Sequence, residues 1–160
     1  MSSLDERELV LERIVLAPAE VIWKCWTNSE HLKPWFCPKP WLVTDCRIDL
    51  RAGGEFYTLM KSPDGEEHPN HGICLEIIPN QKFVFTDAYT AGWIPSKNPF
   101  FTGIIELESL SNGKTKYTAR ARHWTLENCK QHSEMGFYSG WGIALDQLLD
   151  YIKINEGKSL

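Results

Sequence analysis

The stretch "MGFYSGWGIALDQLLDYI" (Met135–Ile152) decides how the rest of the chain must fold. Met135, Tyr138, Trp141, Leu145, Leu148 and Ile152 recur at steps of three and four residues, the spacing of one apolar helix face. The helical region is expected to start near Thr125 and to run to about Ile154. Gly136, Gly140 and Gly142 fall within it. A glycine in a helix interior costs about 1 kcal/mol relative to alanine. The cluster therefore predicts a kink, or close approach to a neighbouring backbone or ligand.

Upstream of this helix the pattern is mostly that of strands. "ELVLERIVL" (Glu8–Leu16) alternates and is rich in β-branched residues. Two short helices follow. The first lies in "APAEVIWKCWTN", with Pro18 suited to its first turn. The second, "SEHLKPWF", is expected to be capped by Ser29 and kept brief or kinked by Pro34. Strands are then read at 41–50, 55–60, 71–78, 82–89, 100–110 and 114–124. Turn clusters such as Pro63-Asp64-Gly65 and Ser111-Asn112-Gly113 join them, with one long loop, "TAGWIPSKNP", at 90–99. Short connections favour an antiparallel meander. One face of such a sheet must be covered, and the C-terminal helix is the only long apolar helix in the pattern. The expectation is a single α+β domain over 1–160, with an ordered core at about 7–154.

Composition narrows the function classes. The 160 residues carry a formal charge of −4 with no run of Lys and Arg, so no nucleic-acid footprint is visible. No stretch reaches the length of a membrane span, and the opening "MSSLDERELV" lacks the apolar segment of a signal peptide. A cytoplasmic location is expected. Five cysteines, with no C-x-x-C pair, argue for free thiols rather than a disulfide framework or zinc knuckle. Cys37 and Cys129, near helix ends, are expected to be the more reactive. No Walker loop or dinucleotide fingerprint occurs. The spacing of Glu66, Glu67 and His68 is too unspecific for a metal site, so neither a metal nor a cofactor is expected. Aromatic residues make up 12% of the chain. They can fill a solid core or wall an apolar cavity.

Arg51-Ala52-Gly53-Gly54 suggests a phosphate cradle at first sight. A phosphate loop opens a helix, whereas the alternating "EFYTLM" follows here. The glycines are better read as supplying positive φ to a strand-to-strand turn, with Asp49 and Arg51 pairing at the surface.

The order of elements resembles the START-like, helix-grip superfamily, also called SRPBCC, and within it the family named for the activator of heat-shock-protein-90 ATPase. The resemblance rests on Ala17–Phe36, Ile48–Gly65, His71–Thr86 and Met135–Ile152, above all "D-L-R-x-G-G-x-F" and the late "G-W" followed by "L-D-x-L". It implies a curved antiparallel sheet of about six to seven strands gripping the C-terminal helix. Two short helices would follow the first strand, and an elongated apolar cavity would lie between helix and sheet. It transfers no catalytic set.

Strand parity nominates the wall of that cavity. Phe56 and Met60 should turn inward, as should His71, Ile73 and Leu75, taken opposite in parity to Glu76. Phe85 and Asp87 share a face, as do Phe101 and Ile105, and Tyr117 and His123. The helix would contribute Met135, Tyr138 and Trp141. Trp35 and Trp41 either form a mouth or cap the core. His71, Asp87 and His123 are polar positions on an apolar wall. They can bind a metal or move a proton, or be satisfied near strand ends by water or a hydrogen bond.

The reading that follows is a small soluble protein enclosing an apolar or aromatic molecule, with Asp87, His123 and Tyr138 as orienting groups. One alternative is a cyclase- or hydrolase-like enzyme using the same cavity. Another is an interaction module that stimulates a chaperone ATPase. A homodimer is neither required nor forbidden by the sequence.

Overall fold

The computed structural model describes residues 5–156. After a single 3-10 turn at Asp5–Arg7, strand β1 (Glu8–Val15) leads into helices α1 (Ala19–Thr27) and α2 (Ser29–Leu32). Pro18 is the N-cap of α1, where its missing N–H costs nothing. Asn28, rather than Ser29, caps α2: its side chain accepts from the Glu30 and His31 N–H groups. The helix stops at Leu32, ahead of Pro34.

Strands β2 (Leu42–Ile48), β3 (Glu55–Lys61), β4 (Glu67–Ile78), β5 (Lys82–Thr86), β8 (Phe101–Ser109) and β9 (Thr115–His123) complete the main sheet. Its order is β1-β9-β8-β5-β4-β3-β2, with every pairing antiparallel. The first strand thus pairs with the last and closes the meander. The loop between β5 and β8 carries its own two-residue strands, β6 (Tyr89–Thr90) and β7 (Ile94–Pro95). β4 begins at Glu67, four residues before the start expected at His71.

The C-terminal helical region is two helices, not one. α3 (Leu126–Glu134) is capped by Thr125, whose side chain accepts from the Asn128 N–H. α4 (Phe137–Ile154) starts after Gly136, which adopts φ +97°. That left-handed residue resets the helix phase. Met135 and Tyr138 are 69% and 51% exposed as a result, while Leu145 and Leu148 are buried. No helix among the described residues is long and apolar enough to cross a membrane.

α1 and α4 cover the inner face of the sheet. Ile22, Trp23 and Trp26 from α1, and Ala144, Leu145 and Leu148 from α4, join Phe56, Phe83, Phe85, Ile105, Leu107 and Tyr117 in one buried cluster. The outer face carries ion pairs beside a few buried apolar side chains such as Val84 and Ile104. Glu8 bridges Arg120 and Arg122, and Arg120 also holds Glu106, all at 2.7–2.8 Å.

Candidate functional site

Cross-strand partners share a face, so the register fixes which predicted residues point inward. Phe56 pairs with Gly72, Cys74 with Phe85, Ile77 with Phe83 and Gly103 with Phe85. Ala119 and Ala121 pair with Ile105 and Gly103. Phe56, Met60, Phe85, Phe101, Ile105, Tyr117 and His123 therefore lie on the inner face, in agreement with their parity. His71 and Ile73 do not: they pair with Tyr57 and Glu55, on the outer face. The reason is a bulge between Cys74 and Glu76 that inserts Leu75 and reverses parity along β4. His71 is exposed, and its ring lies 4.8 Å from that of Tyr57.

Around Trp26 the protein's own rings fill the space between sheet and helices. Trp26 is the hub. Its ring centroid lies 5.1–6.2 Å from those of Trp35, Phe36, Phe83 and Phe85. Its indole N–H donates to the Tyr117 hydroxyl at 3.1 Å. Trp35 is buried and donates to the His31 carbonyl. Trp41 is half-buried beside His68, with centroids 5.1 Å apart. It lines an open cleft of about 410 Å³ with Pro34, Cys37, Val43, Lys33 and Lys39.

At the opposite edge of the inner face the packing changes character. Phe101 and Trp141 are only partly buried, and their rings lie 5.8 Å apart. Both pack against Leu9, Ala121, Cys129 and Phe137, while the neighbouring Gly103 is covered by the Phe85 ring. Phe85 connects this end to the Trp26 cluster through an edge contact with Phe101 at 6.2 Å.

α3 closes this end with His132. Its Nδ1 lies 2.8 Å from Nε2 of His123, and His123 Nδ1 lies 2.9 Å from the Arg7 carbonyl oxygen. Phe100, Phe101, Phe137 and Trp141 surround His132 at centroid distances of 5.0–6.0 Å. Burial lowers the pKa of both imidazoles, for His132 to about 4 with help from neighbouring His123. Both are neutral at pH 7. His132 escapes a sequence reading because its partner lies nine residues away on a different element, the end of β9, at no recognisable spacing. The available signal was the i, i+3 pair Cys129 and His132, the two buried residues of α3.

Asp87 shares no hydrogen bond with either histidine among the described residues. Its carboxylate accepts from the Phe100 N–H, 2.9 Å from each oxygen, and from the Phe101 N–H at 3.3 Å. Burial pushes its pKa up, and these N–H groups pull it part of the way back. Asp87 therefore ties the end of β5 to the start of β8 across the long loop. Tyr138 points to solvent. Among the described residues no three His, Cys, Asp or Glu side chains group as metal ligands.

Residues 16–153 match the family described as "Activator of Hsp90 ATPase homolog 1-like protein". The chain belongs to this family. A crystal structure of a protein from Nitrosomonas europaea is 42% identical, with a TM-score of 0.91 over 94% of this chain and 97% of that one. Two more distant structures share the fold of this family member. One, from Mycobacterium smegmatis, is 24% identical with a TM-score of 0.77, covering 98% of this chain and 97% of the other. The other, an AHSA1-like protein from Aeromonas hydrophila, is 18% identical with a TM-score of 0.71, covering 96% and 98%. None of the curated proteins matches the chain.

Proposed function

We propose that this family member binds an apolar, preferably aromatic, small molecule between the sheet and α4, against Phe101 and Trp141. The observation that carries the reading is local. This is where two partly exposed rings pack against a short inward side chain, Ala121. Partly exposed rings can turn aside without breaking the fully buried cluster around Trp26, and apolar burial then drives binding. Affinity would come from stacking and area, with few polar groups fixing orientation.

Naphthalene titration followed by tryptophan fluorescence tests this. Saturable quenching is expected, and Ala121→Leu, which adds bulk against Phe101 and Trp141, should abolish it while the fold survives by circular dichroism. Native mass spectrometry of protein expressed in its own host should show a retained small molecule. No quenching, together with no retained mass, would sink the proposal.

The family description also raises a chaperone partner. Pull-down with the host's own chaperone and its ATPase rate at saturating amounts of this protein test that link. An unchanged rate counts against it.

A further inference from the structure

The hydrogen-bond chain at the α3 end has a fixed direction. The Arg7 carbonyl can only accept, so His123 Nδ1 must carry the proton in the 2.9 Å contact. A neutral imidazole has one N–H. His123 Nε2 is then a bare lone pair, and the 2.8 Å contact requires that His132 Nδ1 donate to it. His132 Nε2 is left as a lone pair as well. It has no hydrogen-bond partner among the described residues.

An acceptor thus stands inside a box of four rings, Phe100, Phe101, Phe137 and Trp141. We propose that His132 Nε2 orients a ligand bearing a hydrogen-bond donor on an aromatic body, a phenol or an N–H heteroaromatic. The inference rests on the binding reading above and narrows its ligand class. His132 is the contacting residue. His123 and the Arg7 carbonyl are positioning groups that hold its tautomer. The low pKa of His132 keeps the acceptor unprotonated at pH 7, so a neutral donor is favoured over an ionised carboxylate.

Two measurements on the unaltered protein test this. Side-chain ¹⁵N shifts of the histidines in the free protein should show His123 and His132 both protonated on Nδ1. A proton on Nε2 of His132 overturns the inference. In the second, 2-naphthol should bind about tenfold more tightly than naphthalene, the worth of one added hydrogen bond in a dry site. It should also shift the Nε2 resonance of His132. Equal affinities, or 2-naphthoate binding more tightly than 2-naphthol, overturn this inference alone. Failure of both naphthalene and 2-naphthol to bind overturns the binding reading and this one with it. In His132→Phe the ratio of naphthol to naphthalene affinity should fall to about one, whatever its absolute affinities, whereas a preference that survives in it rules out His132 as the acceptor.

Discussion

The indole of Trp93 lies against Gly53: a methyl group on that glycine would come within 2.6 Å of the indole ring. The loop between β5 and β8 thus folds back onto the turn that precedes β3. Gly53 also has φ +83°, a conformation that alanine adopts only with strain. The Arg51-Ala52-Gly53-Gly54 stretch is therefore a packed turn. Arg51 is held by Asp49 at 2.8 Å, and the Gly53 N–H donates to the Cys74 carbonyl. Gly53→Ala is expected to cost about 1–3 kcal/mol, read as a lower urea midpoint at unchanged slope. Adding Trp93→Ala should restore part of the loss, because it removes the clash and leaves the strained φ.

Asp87 offers a sharper contrast between two substitutions. Asp87→Ala leaves the Phe100 and Phe101 N–H groups without their acceptor, which is expected to cost about 1–3 kcal/mol. Asp87→Asn keeps one accepting oxygen and removes a carboxylate whose burial raises its pKa. A raised folded pKa stabilises below the unfolded value, and that contribution is lost as pH rises through the folded one. The charge is thus a burden at pH 7, so Asn should be close to neutral there. Denaturant curves at pH 7 check both. A loss for Asn as large as for Ala would mean that the charge itself holds the loop.

How far the sequence disclosed this architecture depends on whether parity held. It held in β8 and β9, where Phe101, Ile105, Tyr117 and His123 fall on one face without interruption. It failed in β4, because a bulge flips the face of every residue on one side of it. His71 and Ile73 were misplaced for that reason. The helix pattern failed at one residue. Gly136 changes the phase, so Met135 and Tyr138 left the apolar face while Trp141, Leu145 and Leu148 kept it. The His123–His132 contact had no sequence signal strong enough to find it. It exists because α3 packs back across the end of β9.

That pair should make the protein acid-sensitive. Its pKa values are lowered in the folded state, to about 4 for His132. The stabilisation is then complete above the unfolded value, about 6.5, and is lost as pH falls toward 4. Among the described residues, the groups recorded against the pair are the four rings and the Arg7 carbonyl. A loss of order 2–3 kcal/mol is expected across that window. Denaturant midpoints from pH 7 to pH 4 measure it, and His132→Phe should flatten the profile. An unchanged slope in that variant would assign the acid sensitivity elsewhere.

The indole–phenol contact in the core predicts the cost of a single oxygen. Tyr117 is buried, and its hydroxyl accepts the Trp26 N–H at 3.1 Å. Tyr117→Phe keeps the ring and leaves that N–H unpaired, for an expected loss of about 1–3 kcal/mol. Trp26→Phe in the same background should show coupling, since each change removes the partner of the other. Additive losses would mean that the contact contributes nothing of its own.

The five thiols give the last test, against the expectation that Cys37 and Cys129 are reactive. All five are free and buried. Burial raises the pKa of Cys25 to about 12 and those of Cys37, Cys46 and Cys74 to about 11. The Cys129 thiol is raised as well. The thiolate is the reacting species, so a disulfide reagent at pH 8 should find Cys25, Cys37, Cys46 and Cys74 at least about a hundredfold slower than an exposed thiol, and Cys129 slower as well. Denaturant should then release all five together. Cys37 lines the open cleft beside Trp41, so it is the thiol expected to escape first if that corner opens separately. One fast thiol in native conditions, assigned to Cys37 by peptide mapping, would show local opening there. A fast thiol at Cys25 or Cys74 would contradict the packing of the core.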